Sequence, residues 1–369
     1  MQHPSDNQGG VTATERPLSD ERSERSLPLV EGNSAPAMDD IPAMPAQIVP
    51  SAPGGWTRRV ALLVSRSAVP VALVAVVAGF GAARPSTFLT AENFKFILAD
   101  SAVSAVLALG LTVILVMGEF DLAIGSMLGL GGASAVALMS LHGVPWEGAI
   151  GVAVALALLV GIVNGVLIAW AGLSSFIITL AMGTMLVGIE FLFTGDTTIF
   201  KGVAPAYLKI GQTSAGGINL QVWIALGVAL VLWVLLERTE PGRYMYAIGG
   251  NREAARLTGL PVRRYLQTGF VIVALCATLA GIMLTSQNGA SSPQAGIPYL
   301  LPAYAAAFLG STTFRPGQFN IAGTLVSVFF LGVVSSGLTM LALSTAVIDL
   351  VQGGVLVFAM LISRLGQVS

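Results

Sequence analysis

Between Glu237 and Arg264 the chain reads ERTEPGRYMYAIGGNREAARLTGLPVRR, 28 residues that hold six arginines and three glutamates. On either side, Ile210 to Leu236 and Tyr265 to Phe314 contain no charged residue. Uncharged apolar runs of that length belong in lipid, so the charged stretch is expected to be a polar loop between membrane spans. Its excess of arginine assigns it to the cytoplasmic side, within reach of a soluble partner.

Composition extends this reading to the whole chain. Of 369 residues, 54% are hydrophobic and 10% charged, the balance of a polytopic membrane protein and not of a large soluble one. The 43 glycines suit close approach of helices in a bilayer. The net charge of −1 conceals a split: residues 1–55 carry eight acidic and three basic groups, the remainder 11 and 15. The single cysteine, Cys276, excludes an intramolecular disulfide and a redox pair. The two histidines, His3 and His142, lie far apart, and no metal site is expected. Residues 1–55 are rich in Ser, Pro, Glu and Asp without hydrophobic periodicity, so a disordered N-terminal tail is expected. It lacks the apolar stretch of a cleaved signal peptide and is expected to stay in the cytoplasm.

Apolar runs of roughly 17–25 residues, enough to cross a bilayer, fall at 60–82, 99–118, 122–141, 147–170, 173–193, 221–237, 265–286, 298–314, 319–342 and 345–364. The expected fold is all-α, with about ten transmembrane helices and both ends on one side. Placing both ends in the cytoplasm puts Arg58, Arg59, Arg66, Arg238, Arg243, Arg252, Arg256, Arg263, Arg264, Arg315 and Arg364 inside. Only Arg84, Lys95, Lys201 and Lys209 fall outside, so the chain is expected to be N-in and C-in. An aspartate at the centre of a membrane helix costs roughly 2.5–3.5 kcal/mol. Asp100, Glu119 and Glu190 lie near expected span ends, where solvated or interfacial positions are expected. Asp349, five residues into the last span, is a candidate for a polar cavity.

Inside the charged stretch the punctuation is that of a short helix. Asn251 can cap it, and Glu253 in the first turn complements the helix dipole. Gly259 suits the left-handed position beyond its end, and Pro261 blocks continuation. A helix of about seven residues, 252–258, is too short to persist alone in water and must dock on something. Ala254 and Ala255 beside Leu257 offer a low apolar face edged by Arg252 and Arg256, suited to a groove; lying on lipid headgroups is the alternative.

The run GRYMYAIGGNREAARLTGL, Gly242 to Leu260, resembles the cytoplasmic coupling loop of the ribose/xylose-type permeases of ATP-binding-cassette importers. A second run, GEFDLAIGS from Gly118 to Ser126, is similar to that family's Gly-Ile-Asp-Leu-Ser-Val-Gly-Ser signature after the second span. The resemblance covers roughly residues 60–364. Glu119 stands where the family usually has a small or apolar residue, and the stretch near 310–317 departs from the family's glycine-rich one.

The resemblance implies a permease subunit, not an enzyme, in the bacterial cytoplasmic (inner) membrane. It implies a permease domain over 56–369 with a coupling loop at 237–264. The solute would be a monosaccharide or a related polyol or nucleoside-like compound. The partners would be an ABC ATPase subunit that binds ATP and magnesium, a second permease copy or paralogue, and a periplasmic solute-binding protein, with the lipid bilayer around them. This chain would itself hold no cofactor and no nucleic acid. Asn251, Arg252, Glu253, Ala254, Ala255, Arg256 and Gly259 are the implied contacts with the ATPase, and Gly118, Asp121, Gly125 and Ser126 the family motif.

Asp121 can cap the third span, while Gly125, Gly129 and Gly132 admit a neighbouring helix; direct solute contact by Asp121 is the alternative. Asn164, Phe176, Gln287, Asn288, Tyr299 and Asp349 are candidate pathway residues, and Phe176, Met182 and Met185 are either gates or packing. GEFDLA at Gly118–Ala123 is echoed by GQFNIA at Gly317–Ala322, with three identities and three close replacements. Each precedes an apolar span, and both fall on the cytoplasmic side, as in a parallel duplication.

No Gly-x-x-x-x-Gly-Lys-Ser/Thr loop and no nucleophile–His–acid set occurs in the sequence, so ATP-driven transport requires a separate ATPase. Two other classes fit the topology. An ion-coupled secondary transporter would call for several acidic groups on facing helices, and a branched-chain amino-acid permease shares the overall plan. Gly249-Gly250-Asn251 ahead of the alanine pair favours the sugar-type branch.

Overall fold

The computed structural model describes residues 55–344, 346–355 and 357. The expected tail up to residue 54 and the end of the last expected span lie outside them. In chain order the helices are α1 (Gly55–Ala83), α2 (Pro85–Phe88), α3 (Ala91–Val116), α4 (Ile124–His142), α5 (Trp146–Gly165), α6 (Ser175–Thr194), α7 (Pro205–Gln212), α8 (Leu220–Arg238), α9 (Glu240–Gly250), α10 (Arg252–Leu257), α11 (Val262–Asn288), α12 (Leu300–Gly310), α13 (Ile321–Met340) and α14 (Ala346–Val355). A small hairpin, Ser214–Ala215 with Ile218–Asn219, follows α7.

Helices dominate because a backbone in lipid must satisfy its own N–H and C=O groups. Among the described residues seven are long and apolar enough to cross a membrane: α3, α4, α5 extended to Trp170, α6, α8, α11 and α13. The other three expected spans coincide with shorter apolar helices, Val69–Ala83 within α1, Ile297–Gly310 and α14. The chain is an all-α polytopic membrane protein, and among the described residues seven of the ten expected spans are full-length helices. Ile297–Gly310, at about 1.5 Å per residue, reaches only some two-thirds of a hydrocarbon core of about 30 Å. Its start is set by Pro298, in a 3-10 turn, and by Pro302, whose missing N–H is tolerated in a first helical turn.

Three helices form the centre. Buried residues make up 78%, 83% and 72% of the apolar windows of α3, α4 and α11, against 39%, 22% and 33% for α5, α6 and α8. Glycines set the central spacing, as their positions in α4 suggest. A Cβ at Gly132 would lie 2.7 Å from the Gly281 carbonyl oxygen, and one at Gly125 would lie 3.0 Å from that of Gly296. Between α3 and α11 the buried Cys276 fills the space left by Gly110.

Two sequence expectations about charge are overturned here. Glu190 is fully buried within α6, its Oε1 accepting the Gln294 amide at 3.0 Å. Glu119 is also buried, at 7% exposure, because it has found an ionic partner 133 residues away.

Candidate functional site

The stretch from Glu237 to Arg264 is not an irregular loop but a run of helices. α8 continues to Arg238 and α11 starts at Val262, with α9 and α10 between them. Thr239 caps α9 by accepting the Gly242 amide at 3.4 Å, with Glu240 and Pro241 in its first turn. Met245 and Ile248 of α9 are buried, and Gly249 lies so close to α3 that a Cβ there would collide with the Val116 carbonyl oxygen.

The short helix α10 forms as its punctuation predicts, one residue shorter than expected. The Asn251 side chain accepts the Ala254 amide at 2.9 Å, and the chain leaves the helix through Gly259 at φ +84°. Ala255 faces inward and is buried. Leu257 faces outward, 78% exposed, flanked by exposed Ala254 and by the Glu253–Arg256 ion pair at 3.0 Å. The helix thus rests one face on the bundle and offers the other to the surroundings.

Two turns brace this region, and they are the two echoed sequences. Gly118 and Gly317 take positive φ values, +76° and +82°, which glycine adopts without strain. Asp121 Oδ1 accepts the Ala123 amide at 2.9 Å and Asn320 Oδ1 the Gly323 amide at 2.7 Å. Asp121, the expected cap, sits two residues ahead of the capping position, which Ala123 holds because α4 begins at Ile124. Phe120 stacks on Tyr304 at 6.4 Å and Phe319 meets Phe308 edge-on at 5.3 Å, so both turns grip α12. The first turn is tied to α10 by Glu119 and Arg252, the second to α9 by Tyr246, which donates to the Phe319 carbonyl at 2.8 Å. Arg315 adds an ion pair to Glu237, at 2.7 Å. Burial pushes the Asp121 carboxyl up to about 7, and the Ala123 amide opposes that rise.

Where α12 falls short, a cavity of about 320 Å³ opens between α3, α12, α13 and α14. Asp100, Ser104, Tyr299, Pro302, Asp349 and Gln352 are among its lining residues.

Comparison with known proteins decides what this arrangement belongs to. The family model described as "Branched-chain amino acid transport system / permease component" matches residues 93–360. The ribose import permease protein RbsC of Escherichia coli (strain K12) is 34% identical over 80% of this chain and 93% of its own. The D-allose transport system permease protein AlsC of the same strain is 33% identical over 79% of this chain and 90% of its own. The L-arabinose ABC transporter permease protein AraH of Azospirillum brasilense is 32% identical, over 82% and 88%. The chain belongs to the ribose-type permease family of ATP-binding-cassette importers. No solved structure gives a significant match.

As a permease of this family the protein is a transport subunit embedded in a membrane. Its sequence-predicted residues divide cleanly. Asn251 to Arg256 and Gly259 lie together on and around α10, and Gly118 and Asp121 lie in the adjoining turn. Gly125 and Ser126 open α4. Of the pathway candidates, Tyr299 and Asp349 share the cavity. Asn164 is buried in α5, and Gln287 and Asn288 end α11 beside α7, Gln212 donating to the Gln287 carbonyl at 3.2 Å. Phe176 and Met185 are 53% and 61% exposed on α6, while Met182 packs on the core. Sequence reasoning missed Asp100, Gln352 and the grip of Tyr304 on the first turn. Asp349 inside an apolar span was one signal for the cavity, and the break at Pro298 and Pro302 is another, since interrupted spans mark binding sites in transporters.

Proposed function

We propose that this permease carries a monosaccharide, or a related polyol or nucleoside-like solute, through the bacterial cytoplasmic membrane. The solute arrives on a periplasmic binding protein, and the work comes from ATP and magnesium on a separate ATPase subunit. The outward face of α10 carries the reading: a short capped helix seated on the bundle, with Leu257 and Ala254 exposed, needs a partner to cover it. Asn251 to Arg256 and Gly259 form the contact, and α10 moves as a rigid lever when nucleotide draws the ATPases together. That is a two-state element biased from a distant site, as coupling requires. The names of the relatives, which cite ribose, allose and arabinose, support a sugar as solute.

The topology that fits best has ten spans with both termini in the cytoplasm. Seven long helices and three shorter ones at all ten expected positions support it. The N-terminal tail, 1–55, then lies in the cytoplasm ahead of a permease domain over 56–369. A second permease copy or paralogue completes the pathway, in which Tyr299 and Asp349, with Asp100, present oxygen atoms to sugar hydroxyls. The test is uptake into proteoliposomes containing the permease and its ATPase, with binding protein and D-ribose, D-allose or L-arabinose added. Accumulation of one of them that requires both ATP and binding protein is the expected result. Accumulation driven by an ion gradient without ATP would refute the reading.

A further inference from the structure

Glu119 occupies the turn between α3 and α4 with 9% of its side chain exposed. Its Oε1 accepts from Arg252 Nη2 at 2.5 Å, and its Oε2 accepts from the Ser175 hydroxyl. Arg252 is the first residue of α10 and Ser175 the first residue of α6. One carboxylate therefore holds the leading ends of two helices distant in sequence. The Ser175 oxygen also lies 3.4 Å from the Phe120 amide, which donates to it, and the Phe120 ring stacks on Tyr304 of α12. The chain of contacts runs from the exposed helix to α6 and to the helix whose start lines the cavity.

A buried charge that loses its partner is left uncompensated, at a cost far above that of a surface ion pair. Arg252 therefore cannot leave Glu119 cheaply, and displacement of α10 must either break the pair or carry the turn with it. We infer that Glu119 is the positioning residue that makes α6 and α12 follow the coupling helix. This rests on the coupling role of α10 proposed above. Glu119 itself touches neither solute nor nucleotide.

The experiment uses the complete transporter in proteoliposomes, with whichever of D-ribose, D-allose and L-arabinose the unmodified complex accumulates. The readout is solute delivered per ATP hydrolysed, which a loss of folded protein leaves unmoved. Glu119→Ala and Arg252→Ala should each lower that ratio at least about five-fold, the lower end of usual coupling energies. The double variant should fall no further than the worse single, because both remove one contact. Arg252→Lys, which keeps the charge, should recover part of the ratio that Arg252→Ala loses. An unchanged ratio in either alanine variant, or a double variant at the product of the two losses, overturns the inference. Should Glu119→Ala fail to assemble, Glu119→Gln, which keeps the shape and removes the charge, decides in its place, with the same loss of about five-fold expected and an unchanged ratio overturning the inference. If the unmodified complex shows no ATP-dependent accumulation, the proposed function fails and takes this inference with it.

Discussion

The Tyr304 hydroxyl accepts the Asp121 amide at 3.1 Å and donates to the Asp121 carbonyl at 3.0 Å. One side chain of α12 thus satisfies both backbone groups of a buried turn residue that has no helix or strand to do so. The turn that opens the family motif is held in shape from outside, by a helix 183 residues further along.

Tyr304→Phe keeps the ring on Phe120 and removes both bonds, leaving a buried N–H and C=O unpaired. Each such group costs about 1–3 kcal/mol. The thermal midpoint of the detergent-solubilised protein should fall, with Phe308→Leu, which leaves these bonds intact, falling less.

Gly249 and Gly250 are neighbours with opposite surroundings. Gly249→Ala forces a methyl against the Val116 carbonyl and should cost about 1–3 kcal/mol. A methyl at Gly250 would point into open space, and Gly250→Ala should be neutral or stabilise α9 by up to about 1 kcal/mol. Unfolding midpoints of the two variants, measured side by side, check the contrast.

Leu257 is the largest apolar group on the outward face of α10. Leu257→Ala should weaken association with the ATPase by about 2 kcal/mol, roughly thirty-fold, with stability of the isolated permease unchanged. Ala254→Arg should abolish uptake while the protein still inserts in the membrane. Co-purification of the ATPase with each variant is the measurement.

Asp121 gives the fold a pH dependence of definite sign. Its carboxyl is raised from 3.8 to about 7 by burial, so folding favours the protonated form. The stability it contributes is fully present below pH 3.8 and is lost as pH rises through about 7. Midpoints should therefore decline across that window, and Asp121→Asn, which cannot ionise, should flatten the decline. Asp121→Ala should lower the yield of assembled protein.

Asp100 and Asp349 line one cavity, and removing either charge should weaken charge-assisted hydrogen bonds to hydroxyl groups. Asp100→Asn and Asp349→Asn should each raise the KM for uptake roughly ten-fold, a loss of about 1.4 kcal/mol. ATP hydrolysis in detergent without solute should be unaffected. Equal KM values would remove the cavity from the pathway.

Length and charge made the long helices legible, because an uncharged run of sufficient length has few alternatives to spanning lipid. The cap and stop of α10 were legible for the same local reason: Asn251, Glu253 and Gly259 act on their own neighbours. α9 escaped notice, although Thr239, Glu240 and Pro241 form a helix start, since the arginines around Met245 and Ile248 masked the apolar face. Glu119 and Glu190 were misplaced because the burial of a charge is decided by its partner. Arg252 and the Gln294 amide lie 133 and 104 residues away. Nothing in a single sequence ties Asp100 to Asp349 or Tyr304 to Asp121, for those are encounters between helices.

Cys276 has a practical consequence. The chain's one thiol is wedged against Gly110 inside the bundle, out of reach of charged maleimides in water. Cysteines placed one at a time in the inter-helix segments would then be labelled from whichever compartment they face, on a native background. The sidedness of every connection can be mapped without first stripping the protein of a residue that fills its centre.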